Sequence, residues 1–173
     1  MRFELCVDID AAPERVWRVF ADPANMPRWQ PALQSYEAVS GEPGWPGAVS
    51  LLVYHLGGRG HGRQGGRKME TTETIIARDE GRHLSGRYEN VWSTNEMSCT
   101  FQPLQGGRTR WRAFAEFRFK GWVKLLAPLM RSGIRKRLED DMLRFKALVE
   151  NEMADLPEVL RPGSRNEGPA ARQ

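Results

Sequence analysis

Hydrophobic residues recur at helical spacing in the stretch that ends near residue 153. They follow one another at steps of four, four, three and four residues, and so share one side of an α-helix: Ile134, Leu138, Met142, Phe145 and Val149. The pattern predicts one long amphipathic helix within 122–153. Because proline fits only the first turn or a break, Pro128 predicts a short helix, a kink and a main helix that begins near Leu129. An amphipathic helix is unstable alone in water, so an apolar concave surface must cover this one.

Apolar and polar residues alternate with the period of a β-strand over most of residues 1–119. The alternation predicts seven strands, near residues 3–9, 33–40, 48–56, 69–78, 82–91, 94–104 and 108–119. After the first strand, a capping-type Asp10 and Pro13 open a short helix. The proline-rich stretch 22–31 predicts one or two further helical turns. Short turns separate the last four strands, which favours antiparallel pairing and an α+β fold.

Two stretches lack this periodicity. Residues Gly57–Lys68 contain six glycines and no apolar side chain, which predicts a flexible hairpin loop. A phosphate-binding loop is the alternative, but it would require a helix directly afterwards, whereas the following residues are strand-like. Beyond Met153 the pattern ends, so we expect one domain over 1–153 and a disordered tail over 154–173.

The amino-acid composition and the absence of certain motifs argue against several classes of protein. The net charge of +4 comes from 26 basic and 22 acidic residues dispersed along the chain, whereas nucleic-acid-binding proteins more often cluster basic residues on one element. No spacing of histidines, cysteines or carboxylates indicates a metal site, and no motif indicates a cofactor. The N-terminal residues alternate apolar and charged side chains, without the apolar run of a signal peptide or membrane span. We therefore expect a cytoplasmic protein without nucleic acid, metal or cofactor.

Several local motifs resemble those of one known superfamily. They are Ile9-Asp-Ala-Ala-Pro-Glu-Arg-Val-Trp17, Phe20-Ala-Asp-Pro23, Pro27-Arg-Trp29, Leu126-Ala-Pro-Leu129 and Phe145-Lys-Ala-Leu-Val-Glu150. Over about residues 1–152 the chain resembles the START-like, or SRPBCC, superfamily, in its polyketide cyclase/dehydrase and lipid-transport branch. The resemblance implies a helix-grip (START/Bet v 1-like) fold, in which a curved seven-stranded antiparallel sheet wraps around the long C-terminal helix. Two short helices after the first strand close only one end, so a cavity remains between sheet and helix.

This arrangement predicts which side chains line the cavity. Aromatic, methionine and aliphatic residues make an adaptable apolar wall: Trp29, Tyr88, Met97, Phe101, Trp111, Phe117, Met130, Ile134, Leu138 and Met142. The alternative is that they interlock as a filled core without contacting a ligand. Five polar residues are also expected to face inward: Tyr54, His55, Glu73, Asn90 and Asn95. Each would need a hydrogen-bond partner from the protein or from a ligand.

Members of the superfamily bind sterols, lipids, polyketides, plant hormones, quinones or aromatic rings, and a minority catalyse reactions. We therefore expect a carrier or sensor for a small hydrophobic or aromatic ligand, such as a lipid, quinone or polyketide-like molecule. One alternative is a polyketide cyclase or dehydratase, for which His55 with Glu73 or Tyr88 is the best acid–base combination. Another is a chaperone-associated interaction module. A carrier predicts isolated polar groups in the cavity, an enzyme predicts facing titratable groups, and an interaction module predicts a filled core.

The segment 120–131 and the following Arg135–Arg137 combine basic residues with tryptophan and leucine. This composition suits transient contact with an anionic membrane surface while a ligand enters or leaves. The alternative is an ordinary solvated helix face, since later turns of the same helix are acidic. The residues leave the oligomeric state open.

Overall fold

The computed structural model describes residues 1–56 and 67–154, with side chains up to residue 151. The elements are β1 (Arg2–Ile9), α1 (Pro13–Ala21), a 3-10 turn (Pro23–Asn25), α2 (Met26–Trp29), β2 (Leu33–Ser40), β3 (Val49–Leu56), β4 (Arg67–Asp79), β5 (His83–Glu89), β6 (Ser93–Leu104), β7 (Arg108–Phe119) and α3 (Val123–Ala154). This order confirms the predicted α+β helix-grip class. The predicted loop falls mostly outside the described residues, as do tail residues 155–173. Arg67 and Lys68, assigned to that loop from the sequence, belong to β4 instead.

All seven strands form one open antiparallel sheet in the order β1-β7-β6-β5-β4-β3-β2. Strands β2 to β7 follow one another as a meander, and β1 pairs with the last strand of that meander, so that Leu5 lies opposite Ala113. The helices α1 and α2 carry the chain from one edge of the sheet to the other. A register shift between Ile75 and Ala77 interrupts the β4–β5 ladder, and such bulges bend a sheet.

The start of α1 differs in one detail from the prediction. The residue that caps its N-terminus is Ala12, whose side chain makes no capping hydrogen bond, and Pro13 occupies the first turn. Asp10 instead uses its backbone N–H, which donates to Glu150 Oε1 of α3 at 2.7 Å. Nearby, Lys146 Nζ donates to the Asp8 carbonyl at 2.6 Å. These two contacts fix the C-terminal half of α3 against the end of β1.

Helix α3 is longer at its N-terminus than the sequence pattern predicted. It begins at Val123 and includes Pro128 as an internal residue, so the prediction of a start near Leu129 is wrong. A proline inside a helix leaves the carbonyl four residues earlier without its N–H donor. That carbonyl belongs to Lys124, an exposed residue, so water can satisfy it without breaking the helix.

The predicted stripe of α3 is buried to different extents along its length. Met142, Phe145 and Val149 are buried in the core, whereas Ile134 and Leu138 are only half-buried. Phe145 belongs to an interlocking group of six rings, here called the aromatic cluster: Trp17, Phe20, Trp29, Phe101, Trp111 and Phe145. Ring centroids within it lie 4.8–6.0 Å apart. The core is therefore concentrated at one end of the space between sheet and helix.

Candidate functional site

A cavity of about 460 Å³ lies between the inner face of the sheet and α3. Small residues on the central strands leave this space, among them Ala113 and Ala115 of β7 and Gly86 of β5. The aromatic cluster closes one end. Among the described residues, the other end is bordered by Trp92, in the turn before β6, and by side chains that line the cavity and are also exposed to solvent: Trp122, just before α3, and Leu126 and Met130 of α3.

Nine of the ten residues expected on the cavity wall lie there: Trp29, Tyr88, Met97, Trp111, Phe117, Met130, Ile134, Leu138 and Met142. Phe101 does not, and this corrects the expectation. Its ring is 4.8 Å from Phe20 and 5.8 Å from Trp17, measured between centroids, and it stacks on Trp111. Helix α1 covers Phe101 at the closed end, a tertiary contact that strand alternation does not reveal.

Sequence reasoning missed much of the open half of the wall. The additional apolar wall residues there are Leu56, Met69, Trp92, Phe119, Trp122 and Leu126. Two of them could have been identified from the sequence. Phe119 lies two residues beyond Phe117, and Met69 lies four residues before Glu73, so each shares a strand face with a residue that was predicted to line the cavity.

The proposed acid–base candidates are only partly brought together. Glu73 and Tyr88 are direct register partners on β4 and β5, so their side chains are neighbours on the inner face of the sheet, and each affects the pKa of the other. His55 is exposed on the outer face of β3, because Tyr54 and Leu56 on either side of it take the inner face. Both faces of β3 carry apolar residues, so the sequence left its orientation ambiguous. His55 is therefore excluded from the candidate acid–base group.

Glu73 lies in a polar row that crosses the inner face of the sheet. Successive register partners from β3 to β6 are Ser50, Glu73, Tyr88 and Asn95. The Ser50 hydroxyl continues the row by donating to Tyr36 Oη at 2.7 Å. Glu73 is only 4% exposed. Burial raises the pKa of Glu73 above the ordinary value, against the opposing effect of the neighbouring Tyr88 hydroxyl, and burial together with Glu73 raises the pKa of Tyr88.

A second polar group lies where α3 faces β3. Tyr54 Oη donates to Gln30 Oε1 at 3.1 Å, and the Arg137 guanidinium lies 5.2 Å from the centroid of the Tyr54 ring. Asp141 lies 3.2 Å from Arg144 and 3.9 Å from Arg137. Burial nevertheless raises the pKa of Asp141 to about 6, because desolvation outweighs both arginines.

Several buried polar atoms of the cavity wall have no hydrogen-bond partner among the described residues. They include Trp29 Nε1, Thr71 Oγ1 and Asn95 Oδ1. Asn90, also expected to face inward, is on the wall too, but its Oδ1 accepts from the backbone N–H groups of Trp92 and Ser93 at 2.8 and 2.9 Å. The described residues contain no cluster of three or more histidine, cysteine, aspartate or glutamate side chains that could hold a metal ion. None of the described helices has both the length and the apolar character of a membrane span.

The sequence model of the family described as "Polyketide cyclase / dehydrase and lipid transport" matches residues 1–150. The chain belongs to this family. No curated protein sequence matches it.

Solved structures share the fold of this family member at low sequence identity. A START superfamily protein from Mycobacterium smegmatis is 15% identical, with a TM-score of 0.71, and the match covers 87% of this chain and 98% of that one. The Zhui aromatase/cyclase from a Streptomyces species is 14% identical, with a TM-score of 0.69 and coverage of 88% and 94%. A Thermus thermophilus protein is 19% identical, with a TM-score of 0.69 and coverage of 88% and 99%. At these identities the matches establish the fold.

Proposed function

We propose that this protein binds a small hydrophobic or aromatic ligand in its cavity and acts as a carrier or sensor for it. The observation that carries the proposal is the cavity itself, about 460 Å³ of space with mainly apolar walls inside an otherwise packed fold. That volume falls within the roughly 300–1,000 Å³ range of small-molecule sites. A filled core would instead have favoured an interaction module. Lipids, quinones and polyketide-like molecules all match the apolar walls.

The unpartnered polar atoms indicate which chemical groups the ligand carries. A buried polar group without a partner costs about 1–3 kcal/mol, which a ligand can recover by hydrogen bonding. Asn95 belongs to the polar row, Thr71 lies two residues before Glu73 on β4, and Trp29 lies near the closed end. We infer that the ligand is largely apolar but carries a hydroxyl, carbonyl or similar group at one or both of these positions.

The Glu73–Tyr88 pair supports a second candidate, an enzyme of the cyclase or dehydratase type. The two titratable groups are neighbours on the wall of the same cavity, which is the arrangement an enzyme predicts and a simple carrier does not. The raised pKa of Glu73 favours its protonated form, which can act as a general acid. Tyr88 could polarise a ligand carbonyl. This candidate does not involve His55, which is exposed on the outer face of β3.

Native mass spectrometry of protein purified from its own host tests the binding proposal. We expect a bound small molecule that is released on denaturation. Ala115→Phe places a phenyl ring in the cavity and should abolish co-purification of that molecule. Ala147→Phe makes the same change at an exposed position of α3 and should leave it intact. The proposal fails if wild-type protein arrives empty and apolar compound libraries produce no thermal shift.

The released molecule also separates the two candidates. Incubated with fresh protein, it should be recovered unchanged if the protein is a carrier or sensor. Conversion that is lost in both Glu73→Gln and Tyr88→Phe, while Ser85→Ala remains active, would establish the enzyme instead. Ser85 is a suitable control because it lies on the same strand as Tyr88 but carries no titratable group.

A further inference from the structure

The open end of the cavity carries an exposed apolar surface, here called the mouth patch. It consists of Val91, Trp122, Leu125, Leu126, Leu129 and Met130. Leu125 and Leu129 are 81% and 80% exposed, and Trp122 is 64% exposed. Single exposed apolar residues are ordinary on protein surfaces, but a contiguous group indicates a binding surface.

Two separate chain segments form the mouth patch. Leu125 and Leu129 are four residues apart on one side of α3, and the carbonyl of Trp122, just before the helix, accepts from the Leu125 backbone N–H at 3.0 Å. The Trp122 ring meets that of Trp92 edge to face at 6.3 Å, which joins α3 to the turn that contains Val91. Asn90 Oδ1 holds this turn through the backbone N–H groups of Trp92 and Ser93. The patch is therefore part of the folded scaffold.

Positive charge lies beside the patch. The segment 120–134 contains three basic residues, Lys120, Lys124 and Arg131, and no acidic residue. The next three cations, Arg135 to Arg137, are paired with Glu139, Asp140 and Asp141 one helical turn further on. Two cations contact the patch region directly, since Arg67 lies 4.9 Å above the centroid of the Trp92 ring and Lys120 Nζ donates to the Asn90 carbonyl at 3.3 Å. A second copy of this chain would bring the same charge against itself, so a symmetric dimer through this surface is disfavoured.

We propose that the mouth patch docks on an anionic lipid bilayer and places the opening of the cavity against the membrane. Leucine and tryptophan side chains suit the interfacial layer of a bilayer, and the neighbouring lysines and arginines suit its anionic headgroups. Trp122, Leu126 and Met130 belong to the patch and also line the cavity. An apolar ligand could therefore pass between cavity and bilayer without crossing water. This last step rests on the proposed ligand-binding function, whereas docking itself does not.

Sedimentation with lipid vesicles tests the proposal on the full-length chain. Wild-type protein should sediment with vesicles of equal parts phosphatidylglycerol and phosphatidylcholine, and much less with pure phosphatidylcholine. Raising the salt concentration should weaken the binding, because charge attraction at a surface is screened. Failure of wild-type protein to bind the anionic vesicles at low salt overturns the proposal. Self-association without vesicles that Leu125→Gln/Leu129→Gln removes would identify a second copy as the occupant instead.

Matched variants test whether vesicle binding depends on the mouth patch. Leu125→Gln/Leu129→Gln should lower the vesicle partition coefficient by at least about tenfold, because interfacial binding scales with buried apolar area. Leu143→Gln should not change it, since Leu143 is exposed on the same helix but outside the patch. Lys124→Glu should weaken binding more than Arg82→Glu, which makes the same charge reversal in the turn between β4 and β5. Equal binding by wild type and the Leu125/Leu129 variant contradicts the proposal.

The vesicle assay and the cavity assay can fail separately. A protein that carries a ligand but ignores vesicles would retain the proposed function and lose the docking surface. A protein that binds vesicles through the patch but never holds a small molecule would show the reverse. Ala115→Phe should leave vesicle binding unchanged, because Ala115 lies inside the cavity and away from the exposed patch.

Discussion

The two ends of the cavity are built from similar side chains but differ in how they are covered. At the closed end, the aromatic cluster packs α3 against α1, α2 and β7, and Phe145 is fully buried. At the open end, leucine side chains of the same helix, together with Trp122 just before it, are exposed to solvent. The apolar residues of α3 therefore form core in its C-terminal half and exposed surface in its N-terminal half.

The largest difference should appear when one side chain is shortened at each end. Phe145→Ala removes a buried ring that contacts Phe20, Trp29 and Trp111, and should lower the free energy of unfolding by about 3–5 kcal/mol. Leu129→Ala removes an exposed side chain and should change it by no more than about 0.5 kcal/mol. Urea denaturation measures both. Similar losses in the two variants would mean that the open end is packed after all.

A smaller effect on stability is expected from Asp141, which lies where α3 passes from its exposed half to its buried half. The folded state raises the pKa of Asp141 from an ordinary 3.8 to about 6, so it binds the proton more tightly than the unfolded chain does. The stability from this group is therefore fully present below the unfolded pKa and is lost as the pH rises through about 6. Between about pH 4 and pH 7.5, wild-type protein should lose about 1–3 kcal/mol relative to Asp141→Asn.

Asp140→Asn is the control for this pH dependence. Asp140 is the preceding residue on α3 and pairs with the exposed Lys136 at 3.0 Å. Asp140 makes only the smallest contribution to the raised pKa of Asp141, so its replacement should leave most of the wild-type dependence of stability on pH in place between about pH 4 and pH 7.5. If Asp141→Asn keeps the same pH dependence as wild type in urea titrations, burial does not raise the Asp141 pKa as described.

The smallest effect should come from the charged surface near the open end. Lys136 and Asp140 form an exposed pair one helical turn apart, and such pairs contribute about 0.3–0.5 kcal/mol. Lys136→Ala should therefore barely change the midpoint of urea denaturation. A loss above about 1 kcal/mol would indicate that the basic residues of this segment stabilise the fold as well as supplying positive charge.

Much of the candidate site was visible in the sequence because strands and helices repeat with fixed periods. Alternation on β5, β6 and β7 identified Tyr88, Met97 and Phe117, and helical spacing identified Ile134 and Leu138. Alternation alone did not predict which way a side chain points where both faces of a strand are apolar, as for His55 on β3. It also failed at Phe101, because alternation gives the face of a residue but not which element covers that face.

The order of the elements, the antiparallel class and the apolar stripe of α3 could be predicted from the residues alone. These follow from local periodicity, turn residues and motifs that span a few positions. Three other features required the folded chain: Glu73 meets Tyr88, Phe101 closes the cavity rather than lining it, and Leu125 and Leu129 stay uncovered. Each of these depends on strand register or on which distant element lies opposite. Pro128 is a similar case, since its place inside α3 depends on whether solvent can reach the carbonyl that it leaves unpaired.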